Sequence, residues 1–401
     1  MTTRDAPRSD FDHHSSTFAA RAFEISDTLL AECPVSWSEH YGGFWVVADY
    51  DHVTEAFRDH ESFSSAKGAS VPDLSFGSTH LPTTLDPPEH HVFRKYLNPW
   101  FTLEAMRKRE PQMRELIREL IEGLAAKGTW DFVPDLADIM PGTMILVMLG
   151  MSTDRRDEFL GAMERGMSNQ GTTDPGVLAQ MAEDKRWLQE QLLGEIADRR
   201  KNPSDDLMSY LANEPLSDGR QISDSQIIDI VMVLLLAGFH TTSGALAALL
   251  VHLEQHPDQR RHLQQNPDML PTAIEEIVRV YSPATAMART LTKDMEYGGV
   301  QMAKGDRALM VIMAANRDPE HFTDPAEVDL QRSERGSVAF GWGVHRCLGI
   351  HLARVLLRLQ MELLFEIIPD YHVDLAAVRL STTLGIGYVH TSVPGHAHAV
   401  V

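Results

Sequence analysis

Ten consecutive residues, Phe340-Gly341-Trp342-Gly343-Val344-His345-Arg346-Cys347-Leu348-Gly349, carry the densest chemical signal in the chain. Two glycines bracket a bulky residue, and a cysteine then stands just ahead of a helix expected from about Leu348 to Ile367. A helix N-terminus offers unpaired N–H groups and the positive end of its dipole, which lower a thiol pKa and stabilise a thiolate. Gly341, Gly343 and Gly349 would let the backbone approach a large flat ligand closely. A lone cysteine in a glycine-rich turn is also compatible with a buried structural role. A dinucleotide-binding loop is excluded, because its third glycine would have to stand where Arg346 is.

Three further clusters carry chemistry. Asp86-Pro87-Pro88-Glu89-His90 is followed by Arg94, and His90 and Arg94 are one helical turn apart, so both can reach one anionic patch. Glu276 and Arg279 stand at i,i+3 spacing, which by itself is an ordinary surface ion pair worth about 0.2–0.5 kcal/mol. Ala237-Gly238-Phe239-His240-Thr241-Thr242 falls in the middle of an apolar helix. Glycine and hydroxyl side chains are poor helix formers there, and a threonine that bonds back to the i−4 carbonyl bends the rod. His240 carries an imidazole, which titrates at about pH 6.5 when unperturbed and can shuttle protons. It can equally turn away and be satisfied by a partner.

Together these clusters resemble the cytochromes P-450, over nearly the whole chain. The decapeptide fits the family's haem-binding loop F-G-x-G-x-H-x-C-x-G at every fixed position. Glu276 and Arg279 fit E-x-x-R, Asp86 to Arg94 fits D-P-P-x-H-x-x-x-R, and 237–242 fits A-G-x-[D/E]-T-T except that His240 replaces the acid. The resemblance implies an α+β, mainly α fold: a helix-rich region around haem b (iron protoporphyrin IX), with a smaller β-rich region drawn from both chain ends. It implies Cys347 as the thiolate ligand of the iron, in a loop that includes Phe340, Gly341, Gly343, His345 and Gly349. Ala237 and Gly238 would open over the haem, while His90, Arg94 and Arg289 would meet its propionates. Glu276 and Arg279 would lock onto Arg332. Thr241 would deliver protons to bound dioxygen, with His240 either a substitute relay or a mark of atypical oxygen activation. Val233, Leu236, Thr285 and Met287, with part of 71–81, would line the substrate pocket.

The implied activity is a monooxygenase that inserts one atom of dioxygen into a hydrophobic or amphipathic small molecule, by hydroxylation or epoxidation, in secondary metabolism. Two alternatives keep the haem: peroxide-driven or oxidative-coupling chemistry, and a non-catalytic haem sensor. Two cysteines cannot ligate an iron–sulphur cluster, and no flavin or nicotinamide module fits the remaining length. Electrons are therefore expected from a ferredoxin and its NAD(P)H-dependent reductase, with Arg346 a candidate contact.

The elements that position these residues are legible in outline. Gly43 to Ala48 reads as a strand after a Gly-Gly turn, 51–59 as a helix and 66–88 as a long loop. From 89 to about 282 the pattern is helical. The clearest helix opens at Ser223, with Gln226 completing a capping box, and runs to about His256 before Pro257. At 1.5 Å per residue it is a rod of about 45–50 Å, apolar on every side of its middle and so expected to be buried. Strands are expected around 287–312 and 372–392, pairing with those near the N-terminus into one domain over 1–401. Residues 1–32 read as a polar surface segment.

Composition narrows the function. A net charge of −21 argues against sequence-independent nucleic-acid binding. Two distant cysteines, Cys33 and Cys347, do not make a secreted disulfide framework. The first residues have no apolar signal core, and Ile230 to Phe239 is about half the roughly 20 residues that span a bilayer. A soluble, cytoplasmic protein without a membrane anchor is expected.

Overall fold

The computed structural model describes residues 6–72, 79–169, 172–332, 336–383 and 387–397. Among them the N-terminal half contains helices α1 (Ser16–Glu32), α2 (Tyr50–Arg58), α3 (Glu89–Leu97), α4 (Leu103–Lys127), α5 (Ile139–Met148), α6 (Arg156–Ser168) and α7 (Pro175–Lys201). The remainder are α8 (Leu207–Asn213), α9 (Asp224–Gln255), α10 (Pro257–Gln265), α11 (Leu270–Tyr281), α12 (Ile312–Ala315) and α13 (Ile350–Ile367). The 73–78 part of the expected pocket cap lies outside the described residues.

Helix α9 is built as its cap predicts. The Ser223 side chain accepts from the Gln226 N–H, the Gln226 side chain accepts from the Ser223 N–H, and His256 closes the helix before Pro257. The whole helix, unlike the short run Ile230–Phe239, is long and apolar enough to cross a membrane by length and composition, with a mean hydropathy of 1.8 in its most apolar window. Here it packs against α5, α7, α11 and α13. Its middle departs from expectation. Ala245 to Leu250 are buried, but Val233, Ala237, Gly238 and Thr241 keep accessible surface, because a cavity opens along this stretch. All-round apolarity therefore reflects an apolar cavity wall as well as burial.

Strands from distant parts of the chain join in one five-stranded sheet, ordered β1 (Val35–Ser38), β2 (Phe44–Val47), β8 (Arg307–Met310), β5 (Met287–Leu291) and β3 (Phe63–Ser64). β2 runs parallel to β8, pairing Trp45 with Ala308, and the other pairs are antiparallel. All four β2 residues are buried, as a strand covered on both faces requires. A second sheet orders β4 (Thr129–Asp131), β12 (Pro394–Ala397) and β9 (Tyr371–Val373). Two hairpins are β6 (Met295–Tyr297) with β7 (Val300–Met302), and β10 (Arg379–Thr383) with β11 (Gly387–Ser392).

The N-terminal segment is less superficial than its polarity suggests. Phe11 is buried, and α1 buries Phe18, Ala22 and Leu29 against α12 and its neighbours. The apolar stripe is narrow and interrupted by charges, which is why composition alone conceals it.

Candidate active site between the long helix and the cysteine loop

The cysteine loop is shaped by its backbone. The Cys347 N–H donates to the Phe340 carbonyl at 2.8 Å, and the Gly341 N–H to the Val338 carbonyl at 2.8 Å. Gly341 and Gly343 have φ of +68° and +67°, which favour glycine. At Gly343 the close approach is to the chain itself: a Cβ there would lie 2.3 Å from the Phe57 carbonyl oxygen at the end of α2. Trp342, between the two glycines, lies under the Arg58 guanidinium at 5.3 Å. The expectation that all three glycines serve ligand approach is thus corrected at Gly343, which lets the loop pack on α2. Gly349 has a negative φ of −82°.

Cys347 lies on the wall of a cavity of about 300 Å³, which faces α9 on its other side. Its side chain is accessible and lines this cavity. Burial pushes its thiol up, against the opposing effects of the Gly349 N–H, Arg94, Arg346 and Arg354. The expected depression by a helix N-terminus is therefore outweighed. The helix begins at Ile350, three residues on, and desolvation of an anion exceeds the pull of the nearby donors.

Nitrogen-bearing side chains gather at one edge of the cavity. His90 and Arg94 come from α3, Arg289 from β5 and His345 from the cysteine loop, and all four line the wall. The His90 and His345 rings are 4.1 Å apart. His90 Nδ1 and His345 Nε2 are buried without a hydrogen-bond partner among the described residues. Burial, then the Arg94 charge, lowers His90 to about 4. Burial, then Arg289, pushes His345 well down as well. Both shifts favour the neutral imidazole. Arg289 is buried, donates to the Ala288 carbonyl at 2.8 Å, and is lowered to about 10 by burial. Neither Arg94 nor Arg289 makes an ion pair among the described residues. Buried imidazole nitrogens without partners and cations without carboxylates among the described residues, opposite a thiol, fit a flat ligand with anionic edge groups and a metal centre. Sequence reasoning missed His60, whose charge would lower both imidazoles and whose buried Nδ1 is also unpartnered among the described residues. No motif marks it. Asp86 ties the loop before α3 to β3, accepting from the Ser64 hydroxyl and, at 2.9 Å, from the Ser65 N–H.

On α9, Ala237, Gly238 and Thr241 line the cavity, and the Thr241 hydroxyl donates back to the Ala237 carbonyl at 2.9 Å. His240 is turned to α6, with Nε2 3.0 Å from Glu164 Oε2. Of the four residues expected to line the substrate side, Val233 and Met287 do so. Leu236 packs on the helical core, and Thr285 is fully buried with Ala284 facing the cavity in its place. A helix or extended segment presents one face only, and the sequence does not reveal its rotation. Phe57, Pro82, Ile145 and Ile312 add apolar wall that no motif announces.

Away from the cavity, Arg279 clasps Glu276 with two hydrogen bonds of 2.7 and 2.8 Å, and Arg332 adds a third of 2.8 Å. The structure thus brings together the three residues expected to form one lock.

A family model described as Cytochrome P450 matches residues 36–368. The steroid C26-monooxygenase of Mycobacterium tuberculosis (strain CDC 1551 / Oshkosh) is 32% identical over 329 residues, covering 82% of this chain and 87% of its own. The vitamin D(3) 25-hydroxylase of Pseudonocardia autotrophica is 31% identical over 381 residues, covering 92% and 91%. Among solved structures, Mycobacterium marinum cytochrome P450 CYP268A2 in complex with pseudoionone is similar at a TM-score of 0.87 and 28% identity, over 97% of this chain and 99% of that one.

Proposed function

The chain belongs to the cytochrome P450 family, with its mainly α fold, haem cofactor and monooxygenase activity, and on that premise we propose how its residues divide the work. The haem, when bound, supplies reductive activation of dioxygen, one atom entering the substrate and the other leaving as water. Cys347 would hold the iron through its sulphur, where a thiolate would push electron density onto the metal, as is general for this family. The observation that carries this assignment is the placement of Cys347 across one cavity from Thr241, with His90, Arg94, Arg289 and His345 along its edge.

The two guanidiniums and the two imidazoles would bind the haem propionates. Phe340, Gly341, Gly343 and Gly349 shape the loop that presents Cys347, and Glu276, Arg279 and Arg332 hold the segment leading into it. Ala237 and Gly238 leave room on the α9 side. The Thr241 hydroxyl would hold and pass a proton on the cavity face of α9, with His240 at the position where the family carries an acid.

The substrate is a hydrophobic or amphipathic small molecule that is hydroxylated or epoxidised, within secondary metabolism. The apolar wall formed by Val233, Ala284, Met287 and Ile312 supports this reading, as do the steroid and vitamin D(3) named for two relatives. The whole chain acts as one domain in the cytoplasm. A ferredoxin and an NAD(P)H-dependent reductase supply electrons on the Cys347 side, where Arg346 is exposed.

The test is to reduce the purified protein under carbon monoxide. A strongly red-shifted Soret band in the parent, lost in Cys347→Ala, is expected; a band that survives in the variant would overturn the ligand assignment.

A further inference from the structure

Helix α9 lacks the carboxylate that its motif would carry next to Thr241, yet two carboxylates from other elements converge on that place. His240 Nε2 is 3.0 Å from Glu164 Oε2 on α6. The Glu164 side chain is 42% exposed and that of His240 11%, so the pair leads from solvent into the protein. Asp138, in the turn ahead of α5, accepts a hydrogen bond from the Ser243 hydroxyl, one helical turn beyond His240 on α9. An aspartate in the otherwise apolar run around α5 has no ion pair among the described residues to explain it.

We propose that Glu164, His240 and Asp138 form a proton port from solvent to the cavity-lining stretch of α9, its carboxylates supplied by α6 and the turn before α5. This rests on the haem monooxygenase reading above. Forming water from one oxygen atom takes up two protons per turnover, and a buried site must be supplied through groups that can both accept and release them. In this route a proton enters at Glu164 and passes to Nε2 of His240, the proton on Nδ1 passes to the Asp138 carboxylate, and Asp138 releases it toward the cavity side of α9, so each proton taken up is matched by one given up. No electrons move. His240 directly precedes Thr241, whose hydroxyl reaches the cavity.

The charged groups set against this cluster are Glu164 on α6, Asp138 before α5, and Asp131 on β4 behind Asp138. Burial pushes Asp138 up to about 6; the Ser243 hydroxyl and the His240 charge oppose this, while Glu164 and Asp131 add to it. Asp138 can therefore take up and release a proton close to neutrality, which an exposed aspartate does not. Ser243 and His240 hold it on the α9 side. Glu164 and Asp138 are positioning and relay residues; neither lines the cavity.

The test compares Glu164→Gln, Glu164→Asp and Asp138→Asn with the parent, as full-length haem-loaded proteins. With a surrogate ferredoxin and reductase and no substrate, NAD(P)H oxidation and peroxide release are followed from about pH 5.5 to 8.5. Glu164→Gln and Asp138→Asn should slow NAD(P)H oxidation roughly tenfold, below the 10²–10⁴ that a group in direct proton transfer to the reacting atoms contributes, and flatten its pH profile. Glu164→Asp should restore much of both. Rates and pH profiles of Glu164→Gln and Asp138→Asn that both match the parent would overturn the port. The reduced carbon monoxide spectrum separates the two readings. A parent without the red-shifted band defeats the haem-thiolate assignment, whereas intact bands with unmoved profiles defeat only the port.

Discussion

Arg332 Nε donates to Glu276 Oε1 at 2.8 Å, the same oxygen that accepts from Arg279 Nη2 at 2.7 Å. Glu276 is 4% and Arg279 2% exposed, and the Asp329 N–H donates to that oxygen too, at 3.1 Å. Arg279 reaches onward to the carbonyls of Asn316, Pro325 and Glu327. One carboxylate thus ties α11 to the irregular chain that leads into the cysteine loop.

That tie has a pH signature. Burial alone would raise the Glu276 carboxyl, but the hydrogen bonds and charges of Arg279 and Arg332 hold it below its ordinary 4.5. A group with a depressed folded-state pKa stabilises the protein above its unfolded value, and that contribution is lost as pH falls through the folded value. Glu276→Gln should therefore flatten the loss of stability below about pH 4.5 while lowering stability at neutral pH. Breaking a buried pair costs about 3–5 kcal/mol, so denaturant titrations at pH 7 and pH 4 would read both effects. Equal acid sensitivity in parent and variant would count against it.

Gly343 should not tolerate a side chain. Its φ is +67° and a Cβ would meet the Phe57 carbonyl oxygen at 2.3 Å. Backbone strain of this kind costs about 1–3 kcal/mol, so Gly343→Ala should lower the melting temperature and the ratio of Soret to protein absorbance. A variant that melts and binds haem like the parent would mean that the loop is not braced on α2.

Arg289 should matter for retaining haem more than for folding. Its guanidinium is buried over the Phe57 ring at 5.3 Å with no carboxylate paired to it among the described residues. Arg289→Met keeps the apolar stem and removes the charge, so haem transfer to apomyoglobin should quicken several-fold while thermal stability of the haem-free protein holds or rises. An unchanged transfer rate would remove Arg289 from the propionate contacts.

Thr241→Ala should leave the red-shifted carbon monoxide band intact and shift electrons from water or product toward hydrogen peroxide. Thr241→Ser, which keeps the hydroxyl, should restore most of the coupling. Peroxide released per NAD(P)H oxidised is the readout. Equal peroxide yields in parent and Thr241→Ala would show that the hydroxyl is not on the proton route.

The residues that bind by local pattern were legible in the chain itself. The decapeptide around Cys347, the Ser223–Gln226 cap and Pro257 stop of α9, and the strand at 44–47 all depend on short-range rules: positive φ at glycine, reciprocal capping, and β-branched and aromatic residues after a Gly-Gly turn. The start of α13 was expected two residues early, since a loop held by Cys347 N–H to Phe340 delays the first helical turn.

What tertiary structure alone decided is where side chains from separate elements meet. Whether Leu236 or Ala237, and Thr285 or Ala284, faces the cavity depends on the rotation of a helix and the path of a segment, which packing partners set. Burial likewise reversed the expected shift of the Cys347 thiol, because desolvation depends on the surroundings and not on neighbours in sequence. His240 illustrates both sides. The sequence by itself determined that an imidazole stands beside Thr241. Only the fold decided that it meets Glu164, 76 residues earlier, because an ion pair between helices forms only once packing brings their surfaces together.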